Sequence, residues 1–143
     1  MDESLSYLKE KFSLETLDPN RLSPLMLAYV GDAIYEVVVR TVLLKTGGMS
    51  TKNINKKAIT LVSAKAQSAM VKVLEPGLTE NEAAILKRGR NANSATMAKN
   101  ASVADYRRAT GFEALMGYLY LNGEFERMVD LVYLAIEGVK ASK

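Results

Sequence analysis

Residues 24–45 form one long apolar run, PLMLAYVGDAIYEVVVRTVLLK, with Ser23 before it and Gly47-Gly48 just after it. Ser as an N-cap followed by Pro at the first helical position opens a helix, and a Gly pair closes one. The three valines at 37–39 are strand-like, but length and flanking punctuation favour helix. The run is apolar on nearly all sides, which predicts a central buried helix around which the remaining chain packs. It does not span a membrane: its apolar stretch, 25–39, is interrupted by Asp32 and Glu36 and falls short of the roughly 20 residues a span requires.

The rest of the chain supplies helices to cover it. Ser50 or Thr51 caps a helix expected to reach about Leu74, with Ile54, Ala58, Leu61, Val62, Ala69, Met70 and Val73 at helical spacing and Lys52, Lys56 and Lys57 on the other face. Pro76-Gly77 ends it. Thr79 with Glu82 fits a capping box for a short helix closing near Gly89. Residues 90–101, RNANSATMAKNA, read as an exposed loop. Ser102 with Asp105 caps a further helix through YRRATGFEALMGYLYL, Asn122-Gly123 turns the chain, and a last amphipathic helix carries Phe125, Met128, Val129, Val132, Ala135, Ile136 and Val139. The fold class expected is all-α, in one domain covering residues 1–143, for 143 residues suit a single core. The acidic, mixed N-terminus MDESLSYLKEKF lacks the basic start and apolar stretch of a signal peptide, so a cytoplasmic protein is expected.

The chain has no Cys and no His. Disulfides, thiolate nucleophiles, imidazole bases and Cys/His zinc sites are therefore excluded, and acid–base or metal chemistry must use carboxylates. Three acids stand out. Asp32 lies mid-helix among apolar neighbours, where a carboxylate needs a positive partner. Glu36, four residues on, projects from the same face, so the two repel. Gly31 beside them lets another backbone, a substrate or a metal shell come close. Glu113 is the lone acid of ATGFEALMGYLYL, between Gly111 and Gly117. Two such acids on two apolar helices could converge on an ion, and an oxygen-only site suits Mg²⁺ or Mn²⁺. The blander reading pairs Asp32 with Arg40 or Arg107, makes Gly31 a helix-crossing contact, and gives Glu113 its own Lys or Arg.

Charge is unevenly placed. Residues 1–39 carry net −4, residues 40–108 net +9 and residues 109–143 net −2. A basic block between acidic ones points to a polyanion. Within it, LKRGRNANSATMAKN (86–100) carries Lys87, Arg88, Arg90 and Lys99 with no acid, among Asn, Ser and Thr donors suited to phosphate oxygens. Gly89 is read as allowing close backbone approach to a phosphate. Aromatic stackers are scarce there, which favours a duplex backbone over single strands. The alternative is a solvated basic loop.

Taken together, LAYVGDAIYEVVVR, VSAKAQS, LKRGRNANS and YRRATGFEALMGYLYL resemble, in this order over residues 22–121, the ribonuclease III catalytic domain and in particular its short Mini-III branch. The resemblance implies a helical domain, with a core at about 22–138, that dimerises through the Gly-Asp signature helix. It also implies Mg²⁺-dependent cleavage of double-stranded RNA, with the large-subunit (23S) ribosomal RNA precursor as substrate and 5′-phosphate products. Asp32 and Glu113 take the positions of that family's catalytic carboxylates. The residues' own chemistry adds the expectation that these two hold the metal, with Glu36 a weaker, supporting candidate, and that Lys87, Arg88, Arg90 and Lys99 hold the duplex. Leu25, Ala28 and Thr110 stand where the wider family has further acids, a reduction that Mini-III enzymes share. A separate double-stranded RNA-binding domain is not expected. Two rival readings remain at this point: an inactive domain of the same fold that binds structured RNA or a ribosomal partner, and a helical interaction module with no RNA role.

Overall fold

The helices form where the capping residues place them. The computed structural model describes residues 2–46, 50–92 and 102–142, and among these it contains seven α-helices and no strand. They are α1 (Asp2–Lys11), α2 (Pro24–Leu43), α3 (Thr51–Val62), α4 (Ala64–Leu74), α5 (Glu80–Arg90), α6 (Val103–Leu121) and α7 (Phe125–Ala141). Ser23 Oγ accepts the Met26 N–H at 3.2 Å, Ser50 Oγ that of Asn53 at 3.2 Å, and Ser102 Oγ that of Asp105 at 3.0 Å. Thr79 and Glu82 exchange side-chain and backbone bonds at 3.1 and 2.9 Å, a complete capping box. Glu82 also receives two bonds from the Arg127 guanidinium, both at 2.8 Å, which fasten α5 to α7. These bonds hold its carboxyl below the usual range, against the opposing effect of burial. Lys9 Nζ donates to the Leu121 carbonyl at 2.8 Å and ties α1 to the end of α6.

The core is built on α6. Phe112, Leu115, Met116 and Leu119 are fully enclosed, against Leu27, Tyr35 and Val39 of α2, Met70 and Val71 of α4, and Met128, Leu131 and Ala135 of α7. Tyr35 sits edge-on to Phe112 with ring centroids 4.9 Å apart, and its hydroxyl donates to the Leu61 carbonyl at 2.7 Å, so one side chain joins three helices.

Three expectations change. The helix expected to run unbroken to about Leu74 is two helices. Ser63 lies in extended conformation (ψ 155°), ending α3 and capping α4 through a bond from the Ala66 N–H. Next, α2 is central but not buried all round: Leu25, Met26, Tyr29, Ala33 and Val37 are exposed along one face. Finally, Gly89 is buried inside α5, where a methyl group would meet the Gly111 Cα at 2.8 Å. It serves helix packing and offers no backbone to a phosphate. Gly47-Gly48 and residues 93–101, including Lys99, lie outside the described residues.

Candidate active site

The crossing of α2 and α6 places the two acids. Gly31 and Gly117 carry no side chains between the helices, so the backbones touch. A methyl on Gly31 would overlap the Glu113 carbonyl and stand 2.8 Å from the Gly117 N, while one on Gly117 would overlap the Leu27 carbonyl. Gly31 is thus the helix-crossing contact, and the backbone it admits is that of Glu113. Asp32, next in sequence, and Glu113 are thereby brought together although 81 positions separate their numbers.

Asp32 is exposed, and Glu113 is partly buried. The Asp32 carboxyl lies close enough to act directly on that of Glu113. Burial, then the Asp32 carboxyl and its charge, push Glu113 up to about 8. The buried Gln67 amide opposes this, and the charge of Glu36 adds to it. At neutral pH Glu113 is therefore largely protonated. The phenol of Tyr35 lies in the same neighbourhood; burial, and secondarily the Glu113 charge, raise it above its usual value.

No cation neutralises the pair among the described residues. Arg40, the first candidate partner, lies 3.8 Å from Glu36 on the exposed side of α2. Arg107 is exposed, and the other ion pairs join Arg21 to Asp18, Arg108 to Asp105, Arg127 to Glu82 and Lys140 to Glu137. The ion-pair reading of Asp32 and Glu113 is therefore not what the structure shows. Among the described residues no three acids converge as a cage. A two-carboxylate, oxygen-only site that retains open positions is the chemistry Mg²⁺ takes, since it keeps several waters and binds through one or two carboxylates plus substrate phosphates. The residues present fit a divalent cation. Leu25, Ala28 and Thr110 add no oxygen from a carboxylate; Thr110 is buried with its hydroxyl donating to the Tyr106 carbonyl at 3.1 Å.

Lys87 and Arg88 are exposed on the last turn of α5. Arg90 lines a shallow depression with Arg107 and Arg108. In sequence Arg107 reads only as an ion-pair partner of Asp32; the Arg-Arg pair of α6 is the signal that places Arg107 and Arg108 together in this depression. Arg108 is held by Ser68 Oγ at 3.3 Å and Asp105 at 3.9 Å. Gln67 carries no signal in sequence beyond being a neutral polar residue in VSAKAQS.

The raised Glu113 value has a measurable consequence without metal. The folded chain keeps this proton up to about pH 8, whereas the unfolded chain releases it near the ordinary 4.5. Between those values the folded state binds more protons, so this group makes stability fall as pH rises. Melting in chelator from pH 5 to 9 is expected to show Tm declining through that window, and Glu113→Gln is expected to remove most of that decline. Equal slopes in the two proteins would contradict the coupled-carboxyl geometry.

The ribonuclease III domain family model matches residues 25–124. The Mini-ribonuclease 3 of Brevibacillus brevis is 49% identical over 125 residues, covering 87% of this chain and 93% of that protein. The Mini-ribonuclease 3 of Enterococcus faecalis is 48% identical, covering 85% and 94%. A crystal structure of a Fusobacterium nucleatum protein superposes with a TM-score of 0.75 at 33% identity, over 82% of this chain and 94% of that one.

Proposed function

Because this chain belongs to the ribonuclease III family, within its Mini-ribonuclease 3 branch, we propose that it is an endoribonuclease that cleaves double-stranded RNA with Asp32 and Glu113 as its catalytic carboxylates. The observation that carries this reading is the pairing of those two acids at the surface with no cationic partner among the described residues. Asp32 and Glu113 would hold the divalent cation, Mg²⁺ or Mn²⁺. When bound, it supplies Lewis-acid chemistry to phosphodiester hydrolysis that leaves 5′-phosphate ends.

The chain's own groups do the rest. Glu113, kept protonated chiefly by burial and then by Asp32, would hold the cation in its deprotonated form. Asp32 faces solvent, so a phosphate can reach it. Glu36 stands at the margin as a supporting acid. Lys87, Arg88 and Arg90, with Lys99, hold the duplex by its phosphates, and Arg107 extends that surface. The whole forms one catalytic domain with its core at about 22–138, acting in the cytoplasm on the precursor of large-subunit (23S) ribosomal RNA. The exposed apolar face of α2 (Leu25, Met26, Tyr29 and Val37) is the surface through which a homodimer forms, setting two sites against opposite strands. No helix among the described residues is long and apolar enough to cross a membrane.

The test is cleavage of end-labelled duplex RNA with and without Mg²⁺, with product ends identified by phosphatase sensitivity. Duplex binding without cleavage in either Mg²⁺ or Mn²⁺ would instead assign the chain to the inactive, RNA-binding reading. Binding should also depend on salt. With about four phosphates neutralised, log Kd against log salt is expected to have a slope magnitude near 4, by a rule calibrated on B-DNA. Lys87→Gln and Arg88→Gln are each expected to reduce it by about 1. Salt-independent affinity would remove these residues from the interface.

A further inference from the structure

Helices α2, α3 and α7 wall an apolar groove of about 320 Å³ near the C-terminal end of α2. Val38 and Val42 line it from α2, Leu61 from α3, and Val132, Tyr133 and Ile136 from α7. Among the described residues its one carboxylate is that of Glu137, which lies 3.7 Å from Lys140. Lys45 and Lys57 also line the groove, and both are exposed to solvent. Neither has a carboxylate within ion-pair distance among the described residues. The groove is separate from the surfaces assigned above. Its lining includes none of Asp32, Glu36, Glu113 and the α5 cations. Helical periodicity also turns Val42 roughly 140° away from Val37, which belongs to the exposed apolar face of α2.

Apolar walls beside two unmatched cations define the chemistry of an occupant. Small-molecule sites have this form: about 300–1,000 Å³, mostly apolar, with a few polar groups that fix orientation. A docked partner helix would instead need an open trough for anchors at i, i+3, i+4 and i+7. Here three helices close the space. A wholly apolar ligand would leave the two ammonium groups unanswered, and a cationic one would be repelled by them. A compact inorganic anion would leave the apolar walls in water. We propose that the groove binds a free, single-chain amphiphile with one anionic head, its apolar body between α2, α3 and α7 and its charge at Lys45 and Lys57.

The experiment titrates the full chain with octanoate, decanoate and decanol, each in free solution, and follows the methyl NMR signals of Val, Leu and Ile. It is repeated at two protein concentrations and with phosphatidylglycerol vesicles. Variants are Val42→Glu, Val129→Glu and the double variant Lys45→Gln/Lys57→Gln. Val42 and Val129 line the groove and are 39% and 36% exposed, and melting curves show that a variant folds. Decanoate is expected to shift the methyls of Val38, Val132 and Ile136. Affinity is expected to rise about fourfold per methylene from octanoate to decanoate. Decanol, and decanoate on the double Lys variant, are expected to bind about threefold more weakly or worse, since an exposed charge pair contributes up to about fivefold. A folded Val→Glu variant is expected to bind decanoate about tenfold more weakly or worse, through like-charge repulsion. Unmoved groove methyls in decanoate would overturn the proposal. So would decanol binding as tightly as decanoate, or a folded double Lys variant binding decanoate as the unaltered chain does. Groove methyls that shift with protein concentration alone would assign the groove to a second copy of the chain. Vesicle capture without any response to decanoate would assign it to a membrane surface. Either result overturns the amphiphile site.

Discussion

Asp32→Asn is expected to slow Mg²⁺-dependent cleavage of duplex RNA on the order of 10³-fold while leaving duplex affinity in chelator within about twofold. The rate figure corresponds to losing about 4 kcal/mol of transition-state stabilisation, in the range a metal ion supplies. Asn keeps the shape of Asp, removes its charge and replaces one of its two acceptor oxygens with an NH2 donor. Asp32 is exposed, so the substitution disturbs no core contact. It also removes the Asp32 charge that helps raise Glu113. A fall in stability is therefore not expected, and a slower enzyme would not be explained by unfolding. Single-turnover cleavage beside gel-shift binding separates the two effects. Cleavage at the unaltered rate would remove Asp32 from the mechanism.

Gly31→Ala is expected to cost about 3 kcal/mol or more of stability, lowering Tm by about 10 °C, and to reduce cleavage further than its effect on folding explains. Overpacking is tolerated where a flexible side chain can move aside. Here the added methyl meets the Glu113 carbonyl and the Gly117 N, both main chain. The helices must separate, and separation pulls Asp32 from Glu113. Gly77→Ala is the control, since a methyl at Gly77 meets nothing within 4 Å. Equal melting temperatures for the Gly31 and Gly77 variants would contradict the close crossing of α2 and α6.

Much of this was legible because it rests on local rules. Ser23-Pro24, Thr79 with Glu82, and Ser102 with Asp105 each announced a helix start, and each forms the expected bond. Asp32 and Glu113 stood out because an acid inside an apolar run demands an explanation. What stayed hidden required tertiary information. The break at Ser63 was invisible because the apolar spacing continues through it. The open face of α2 was missed because Leu25, Met26, Tyr29 and Val37 look the same in sequence whether they face a core or the outside. Gly89, amid basic residues, suggested a phosphate, whereas its neighbour is Gly111. Gln67 bears no charge and breaks no pattern, so only its burial beside Glu113 distinguishes it.

The contact of main chain with main chain at Gly31 and Gly117 has a mechanical corollary. Where two helices are kept apart by bulky side chains, rotamer changes let one slide over the other, and groups mounted on them drift. At this pivot there is no cushion of that kind. The spacing of the two backbones at Asp32 and Glu113 is gauged by peptide atoms, so it is as stiff as the scaffold itself.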